Sequence, residues 1–243
     1  LPAKMLKKPS VSLWNSEHAR STLPERHPFS HKGTHGKALV IGGSYLMPGS
    51  IALSARAALR SGAGLAAVAT PESAWPSVSM HIPEATAVST SEENGVLAEK
   101  VEVDFTGYDA VAIGMGMGRS DASRTIVQQV VEEADVPVLI DADGLYLLKQ
   151  LLEVLKNRTG PAVLTPHPGE MAHLLGITIP ELLARPFEWS QRFAYNHGVY
   201  IVLKGPSTII TAPDGTQVVD TSGNAGLAKG GSGDVLSGIL LAL

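Results

Sequence analysis

The sequence predicts an α/β fold, doubly wound around a mostly parallel central sheet with helices on both sides and an antiparallel hairpin near the C-terminal end. Three observations carry this expectation. Short runs apolar on both faces, such as Lys37 to Ile41 and Leu65 to Ala69, alternate with runs at helical spacing. Strands of that kind belong to parallel sheets covered on each face. Ser207 to Thr211 and Gln217 to Val219 flank Pro213-Asp214-Gly215 and have the form of a hairpin. Finally, loops rich in Gly, Asp, Ser or His follow the strand-like runs one after another, at the edge where doubly wound sheets bind ligands.

Taken in order, residues 1–36 are polar and rich in Pro and His, with a short helix expected around Asn15 to Thr22. Lys37 to Ile41 is a strand ended by Gly42-Gly43-Ser44, and Ile51 to Arg60 has helical spacing. Ser61-Gly62-Ala63-Gly64 closes that helix before the strand Leu65 to Ala69. A helix restarts at Pro71-Glu72-Ser73, and Ala85 to Val88 is a weak strand. Asp109 to Ile113 runs into Gly114-Met115-Gly116-Met117-Gly118, and Ser120 to Glu133 is amphipathic. Val136 to Ile140 ends at Asp141-Ala142-Asp143-Gly144, before a helix over Leu145 to Leu155. Ala162 to Leu164 leads into Thr165-Pro166-His167-Pro168-Gly169-Glu170 and a helix over Met171 to Leu175. Pro180 to Asn196 reads as one helix and Val199 to Leu203 as a strand. The apolar run from Val235 reaches Leu243, which suggests a final helix continuing beyond the sequence; one domain over 1–243 is the economical reading.

Composition narrows the function classes. Apolar residues make up 44% and charged residues 17%, which describes a folded chain with ample core. The net charge of −4, without a basic block, disfavours nucleic acid and anionic membranes as partners. There is no cysteine, so disulfides, thiolate metal sites and thiol catalysis are excluded, and a reducing, cytoplasmic setting is expected. No apolar run approaches the roughly 20 residues of a membrane span. Lys4, Lys7 and Lys8 are not followed by the apolar stretch of a secretory signal.

The richest motif is Asn224-Ala225-Gly226-Leu227-Ala228-Lys229-Gly230-Gly231-Ser232-Gly233-Asp234, directly before the last helix. Glycines let the backbone approach a ligand, and a helix start offers unpaired N–H groups to an anion. Lys204-Gly205, at the end of a strand, could bring an ammonium to the same anion. A helix start, a lysine and Asp234 together suit phosphoryl transfer, the N–H groups holding charge and the acid taking the proton of an attacking hydroxyl. The helix dipole lowers the Asp234 pKa and nearby phosphates raise it; the sequence leaves open which wins.

Other motifs are weaker. Gly114, Gly116 and Gly118 fail the dinucleotide fingerprint, which needs glycine at its sixth place, where Arg119 stands, so Asp141 is not read as a ribose acid. A glycine-rich wall and a plain turn both remain open there. Gly42-Gly43-Ser44 lacks the Gly-Lys-Ser/Thr of a P-loop. His167, Glu170 and His173 have ligand-like spacing, but Pro168-Gly169 denies them one helix face, so no metal-ligand residue is assigned. A pocket-lining His167 and an N-terminal cap around Glu170 are the open alternatives.

The run Asn224 to Asp234 resembles the signature of the NAD(P)H-hydrate dehydratases, a branch of the ribokinase-like superfamily. Gly36 to Ser44, Ser61 to Gly64, Thr165 to Met171 and Lys204-Gly205 match in the same order, so the resemblance covers roughly residues 30 to 240. It implies an enzyme that repairs hydrated NADH and NADPH, using ADP or ATP with Mg²⁺ bridging the phosphates. The ring hydroxyl would be phosphorylated and phosphate then eliminated. On this resemblance Asp234 is the base and Gly230, Gly231, Ser232 and Gly233 form the anion hole. Lys204, Gly205, Pro206, Ser207, Thr208, Gly233 and Asn224 line the nucleotide site. Ser50, Gly118, His167 and Asp234 contact the hydrated dinucleotide, with Ser50 standing where the family has Ala. The Met47-Pro48-Gly49 loop is similar to that of bacterial ADP-using members, and a homotetramer is implied. A ribokinase-like small-molecule kinase and a nucleotide-binding protein without turnover are the alternatives.

Overall fold

The computed structural model describes residues 11–243. Lys4, Lys7 and Lys8 lie outside them. A ten-stranded sheet organises the described chain. In chain order its strands begin with β1 (Val11–Trp14), β2 (Lys37–Ile41), β3 (Leu65–Ala69) and β4 (Thr86–Val88). A separate two-stranded ladder follows, β5 (Glu92–Glu93) with β6 (Val96–Leu97). The large sheet resumes with β7 (Ala110–Ile113), β8 (Val138–Ile140), β9 (Ala162–Leu164), β10 (Tyr200–Leu203), β11 (Thr208–Thr211) and β12 (Gln217–Asp220). The spatial order is β1-β12-β11-β10-β9-β8-β7-β2-β3-β4.

All pairings in this sheet are parallel except β10 with β11 and β11 with β12. The expected antiparallel hairpin is therefore present, but it is not the edge. β1 pairs in parallel outside β12 and takes that place. Between β2 and β7 the chain turns from building one half of the sheet to building the other, the switch point beside which such folds bind ligands.

Helices cover both faces. α2 (Pro48–Ser61), α3 (Trp75–His81) and α10 (Ser232–Leu241) pack on the face carrying Ala38, Val40, Val68 and Leu139. Against the opposite face, carrying Leu39, Ile41, Val111 and Ile140, lie α4 (Asp121–Glu133), α5 (Asp143–Leu148) and α6 (Leu152–Lys156). With them lie α7 (Pro168–Leu175), α8 (Ile179–Ala184) and α9 (Pro186–His197). The remaining helix, α1 (Ser16–Thr22), is the one expected near Asn15, whose side chain caps it by accepting from the N–H groups of Glu17 and His18. Each Val, Leu, Ile, Phe or Met side chain fully buried between sheet and helix contributes about 1.5–3 kcal/mol. Alternate strand residues facing opposite helix layers are why these strands read as unbroken apolar runs.

Prolines explain most differences from the expected boundaries. The helix expected over Pro180 to Asn196 is two, α8 and α9, because Pro186 drives Arg185 to φ −145° and out of helical geometry. The strand expected from Val136 starts at Val138, after Pro137. α7 begins at Pro168 rather than Met171, with proline in its first turn where no N–H is needed. The helix expected over Leu145 to Leu155 starts at Asp143 and is split by a 3₁₀ turn at Lys149–Leu151.

α2 and α10 lie nearly in contact. A Cβ added at Gly238 would overlap the Ser54 carbonyl oxygen of α2, so only glycine permits this spacing. The Ser54 hydroxyl spans the joint, lying 3.1 Å from the Ser50 carbonyl and donating at 2.9 Å to the carbonyl of Asp234.

Candidate active site

α10 starts at Gly231, which caps the helix in the left-handed region at φ +87°, a conformation that costs other residues about 1–2 kcal/mol. No side chain caps this terminus. The Ser232 N–H reaches only the Lys229 carbonyl, at 3.5 Å, and the next first-turn N–H groups have no partner inside the helix, which suits an anion. The Ser232 hydroxyl beside them is buried without a hydrogen-bond partner.

Asp234 occupies this first turn, half-buried. Burial pushes its carboxyl above the usual aspartate range, and the negative charge of Asp141 adds to the rise. Hydrogen bonding toward Ser50 and the charge of Lys204 act in the opposite direction and do not cancel it. The group is thereby a better proton acceptor than a solvated aspartate. Desolvation is the largest of these influences.

Opposite the helix start stands an ion pair between a partly exposed lysine and a buried aspartate. Lys204 Nζ lies 3.0 Å from Asp141 Oδ1, while Asp141 Oδ2 accepts a 2.8 Å hydrogen bond from the Ser237 hydroxyl one turn along α10. Asp141 is 2% exposed, so its charge is matched inside the protein rather than by water. A Cβ on Gly233 would lie 3.7 Å from both Asp141 Oδ2 and Lys204 Nζ, which places the helix start directly over the pair. Glu170 Oε2 lies 4.0 Å from the same ammonium. Burial raises the Glu170 pKa, the His167 N–H and the Lys204 charge opposing.

The loop Thr165 to Glu170 realises the capping alternative. His167 caps α7, its Nδ1 accepting from the N–H groups of Gly169 at 3.0 Å and Glu170 at 3.3 Å. Glu170 Oε2 accepts in return from the His167 N–H at 2.8 Å, which closes a capping box. His167 Nε2 lies 3.4 Å from Glu170 Oε1.

Of the residues singled out in the sequence, Ser50, Lys204, Gly231, Ser232, Gly233 and Asp234 come together at the start of α10. Gly205, Pro206 and Ser207 form the exposed turn from β10 to β11, and Thr208 is the first residue of β11. The turn lies near the glycine-rich run, since a Cβ on Gly223 would approach the Pro206 carbonyl to 3.5 Å. The Asn224 side chain accepts from the Gly226 N–H at 2.9 Å, so it shapes that run from within. Gly118 donates its N–H to Asp143 Oδ2 at 3.0 Å, on the wall beyond β7. The sequence analysis weighed Asp141 only as a ribose acid and gave it no role at this site; the available signal was an acid at the carboxyl end of a central strand.

A family model described as NAD(P)H-hydrate dehydratase matches residues 38–243. The ADP-dependent (S)-NAD(P)H-hydrate dehydratase of Bacillus subtilis is 38% identical over 96% of this chain and 81% of its own length. A bifunctional NAD(P)H-hydrate repair enzyme of Moorella thermoacetica is also 38% identical, over 92% of this chain but only 43% of that protein. The chain thus spans less than half of such bifunctional relatives. Among solved structures, the Bacillus subtilis ADP/ATP-dependent NAD(P)H-hydrate dehydratase co-crystallised with ATP/Mg²⁺ superposes with a TM-score of 0.82 over 96% of this chain and 80% of that one, at 38% identity. A match over the sheet, both helix layers and the residues around Asp234 leaves one assignment: the chain belongs to the NAD(P)H-hydrate dehydratase family.

Proposed function

We propose that the protein restores NADH and NADPH from their hydrated forms, using ADP or ATP to turn the ring hydroxyl into a phosphate that then leaves. The observation that carries this reading is the pairing of an uncapped helix start with a half-buried Asp234 of raised proton affinity, opposite the Lys204 ammonium.

In this reading Asp234 takes the proton of the C6 hydroxyl as its oxygen attacks the terminal phosphorus of the nucleotide. The bridging P–O bond breaks, its electron pair leaving with AMP from ADP or with ADP from ATP. First-turn N–H groups and Lys204 hold the oxygens of the transferring group, and the Ser232 hydroxyl is placed to donate to them. The C6–O bond then breaks with its pair going to phosphate, pushed by the ring nitrogen. Loss of a proton from C5 restores the double bond. Hydroxide is a poor leaving group and phosphate a good one, so the nucleotide is consumed to make the elimination possible.

Asp141 is engaged by Lys204 and Ser237, and Glu170 accepts the His167 N–H. Among the described residues no group of three His, Asp or Glu closes on a cation. A magnesium ion would come with the nucleotide phosphates, as magnesium commonly does, rather than be held by a cage of these side chains. Such an ion would neutralise phosphate charge during transfer.

The Met47-Pro48-Gly49 loop and the name of the Bacillus subtilis relative support ADP over ATP. Family resemblance supports Ser50, Gly118 and His167 on the dinucleotide side and Lys204 to Thr208 with Asn224 on the nucleotide side. It also supports a cytoplasmic homotetramer; the −4 charge supports small-molecule partners rather than nucleic acid, and no described helix is long and apolar enough to cross a membrane. The test supplies hydrated NADH, Mg²⁺ and either nucleotide, and follows the near-ultraviolet absorbance of the restored dihydronicotinamide. Restoration with ADP faster than with ATP is expected; none with either nucleotide rejects the function, and a stable phosphorylated product would mark a kinase instead.

A further inference from the structure

The turn that follows β8, Asp141-Ala142-Asp143, presents two carboxylates to opposite sides of the cleft. Asp141 binds Lys204 Nζ at 3.0 Å and the Ser237 hydroxyl of α10 at 2.8 Å. Asp143 accepts the Gly118 N–H at 3.0 Å on Oδ2 and Arg119 Nε at 2.7 Å on Oδ1. The Arg119 guanidinium in turn lies 4.0 Å above the Tyr146 ring, which stacks on His173 with ring centroids 4.1 Å apart. One acid therefore anchors the helix start and the ammonium, while the other anchors the loop beyond β7.

The residue between them shows how tightly the turn is held. Ala142 sits at φ 50° and ψ −122°, a combination that L side chains rarely adopt. Backbone bonds fix both ends: the Asp141 N–H donates to the Ile113 carbonyl at 3.1 Å, and the Gly144 N–H donates to the Asp141 carbonyl at 3.0 Å. A Cβ on Gly114 would overlap that same carbonyl, so the β7 loop and this turn touch backbone to backbone. A strained residue persists only where its surroundings over-determine it. Here the strain separates two adjacent acids, so that neither can serve the other's side.

We propose that Asp141 and Asp143 are positioning residues for the two substrates separately: Asp141 sets the nucleotide side, through Lys204 and the start of α10, and Asp143 sets the hydrated-dinucleotide side, through Gly118 and Arg119. This rests on the proposed reading that nucleotide lies toward Lys204 and the dinucleotide toward Gly118. Neither acid touches a reacting atom. Asp141 has a second effect, because its charge faces Asp234, as do Ser50 from α2 and Lys204 from the end of β10.

The experiment measures both KM values, kcat and the pH profile of Asp141→Asn and Asp143→Asn against wild type, with calorimetric titration of Mg–ADP as a readout independent of turnover. Asp141→Asn is expected to raise the KM and Kd for ADP about tenfold, the scale of one lost charged hydrogen bond. It should also move the acid limb of kcat/KM to lower pH, since removing a like charge lets Asp234 ionise earlier. Asp143→Asn is expected to raise the KM for hydrated NADH by a similar factor and to leave ADP binding unchanged. If both KM values rise together in either variant, or neither moves, the division of labour is wrong. Should Asp141→Asn fail to fold, Ser237→Ala replaces it; a KM for ADP that does not rise in that variant, or a KM for the hydrate that rises with it, overturns the proposal. Wild type decides the underlying reading independently: if it restores no NADH, the function fails, whereas active wild type with unsplit variants sinks only this proposal.

Discussion

α7 and α10 begin beside the same lysine, yet their N-termini are finished in opposite ways. At α7 the chain satisfies itself: His167 takes two N–H groups and Glu170 answers the His167 N–H. At α10 glycine caps the helix, no side chain reaches back, and the acid in the first turn is half-buried beneath a second acid and a lysine. A capping box stabilises a helix and removes its capacity for anions. A glycine-capped start forgoes only about a few tenths of a kcal/mol of helix stability and leaves N–H groups open to an anion. The contrast supports the proposed phosphate position at α10, while the capping box at α7 holds Glu170 4.0 Å from the Lys204 ammonium.

Four outcomes would break or sharpen that contrast. The largest belongs to Asp234→Asn, expected to lower kcat by about 10²–10⁴-fold while ADP binding persists in calorimetry. Unchanged turnover would remove Asp234 as the base. Next, Gly231→Val forces a branched side chain into the left-handed region and against Leu53 Cδ1. Thermal melting should fall by about 2–8 °C and ADP affinity should drop with it; full affinity would show that phosphate does not rest on this terminus.

The third concerns α7. His167→Ala should cost about 1 kcal/mol, or roughly 2–4 °C in Tm, and His167→Asn should recover most of it because asparagine caps well. A KM for the hydrate that rises in both variants separates a ligand contact from the cap, whereas recovery of KM with stability would make His167 purely structural. The smallest effect is on pH. Since Asp234 holds its proton more tightly folded than unfolded, kcat/KM should lose its base as pH falls through a value above the ordinary 3.8. By the same linkage, ionised Asp234 costs stability once pH exceeds the folded pKa. Asp234→Asn should therefore raise Tm at neutral pH, by less than about 4 °C. A fall would show that the carboxylate is a net stabilising partner.

Much of this was legible in sequence wherever the signal is local. Lys37 to Ile41 and Leu65 to Ala69 are strands because uninterrupted apolar runs of that length suit only a doubly covered sheet. The Gly230 to Asp234 run announced its helix start. Non-local facts were not legible. β1 is four mostly exposed residues in a polar segment, and only its distant partner β12 makes it a strand. Asp141 meets Lys204 and Ser237 across 63 and 96 residues, a meeting that no spacing rule encodes. The Asp234 pKa depends on burial, which is a property of the assembled site. The break at Pro186 was readable, because the residue before a proline avoids helical geometry.

The glycine contact between α2 and α10 has a consequence for motion. Ser50 and Asp234 sit on two helices joined by Gly238 against the Ser54 carbonyl and by one hydroxyl bridging their backbones. Any displacement of one helix must carry the other. In the proposed function, backbone packing between α2 and α10 therefore fixes Asp234 relative to Ser50.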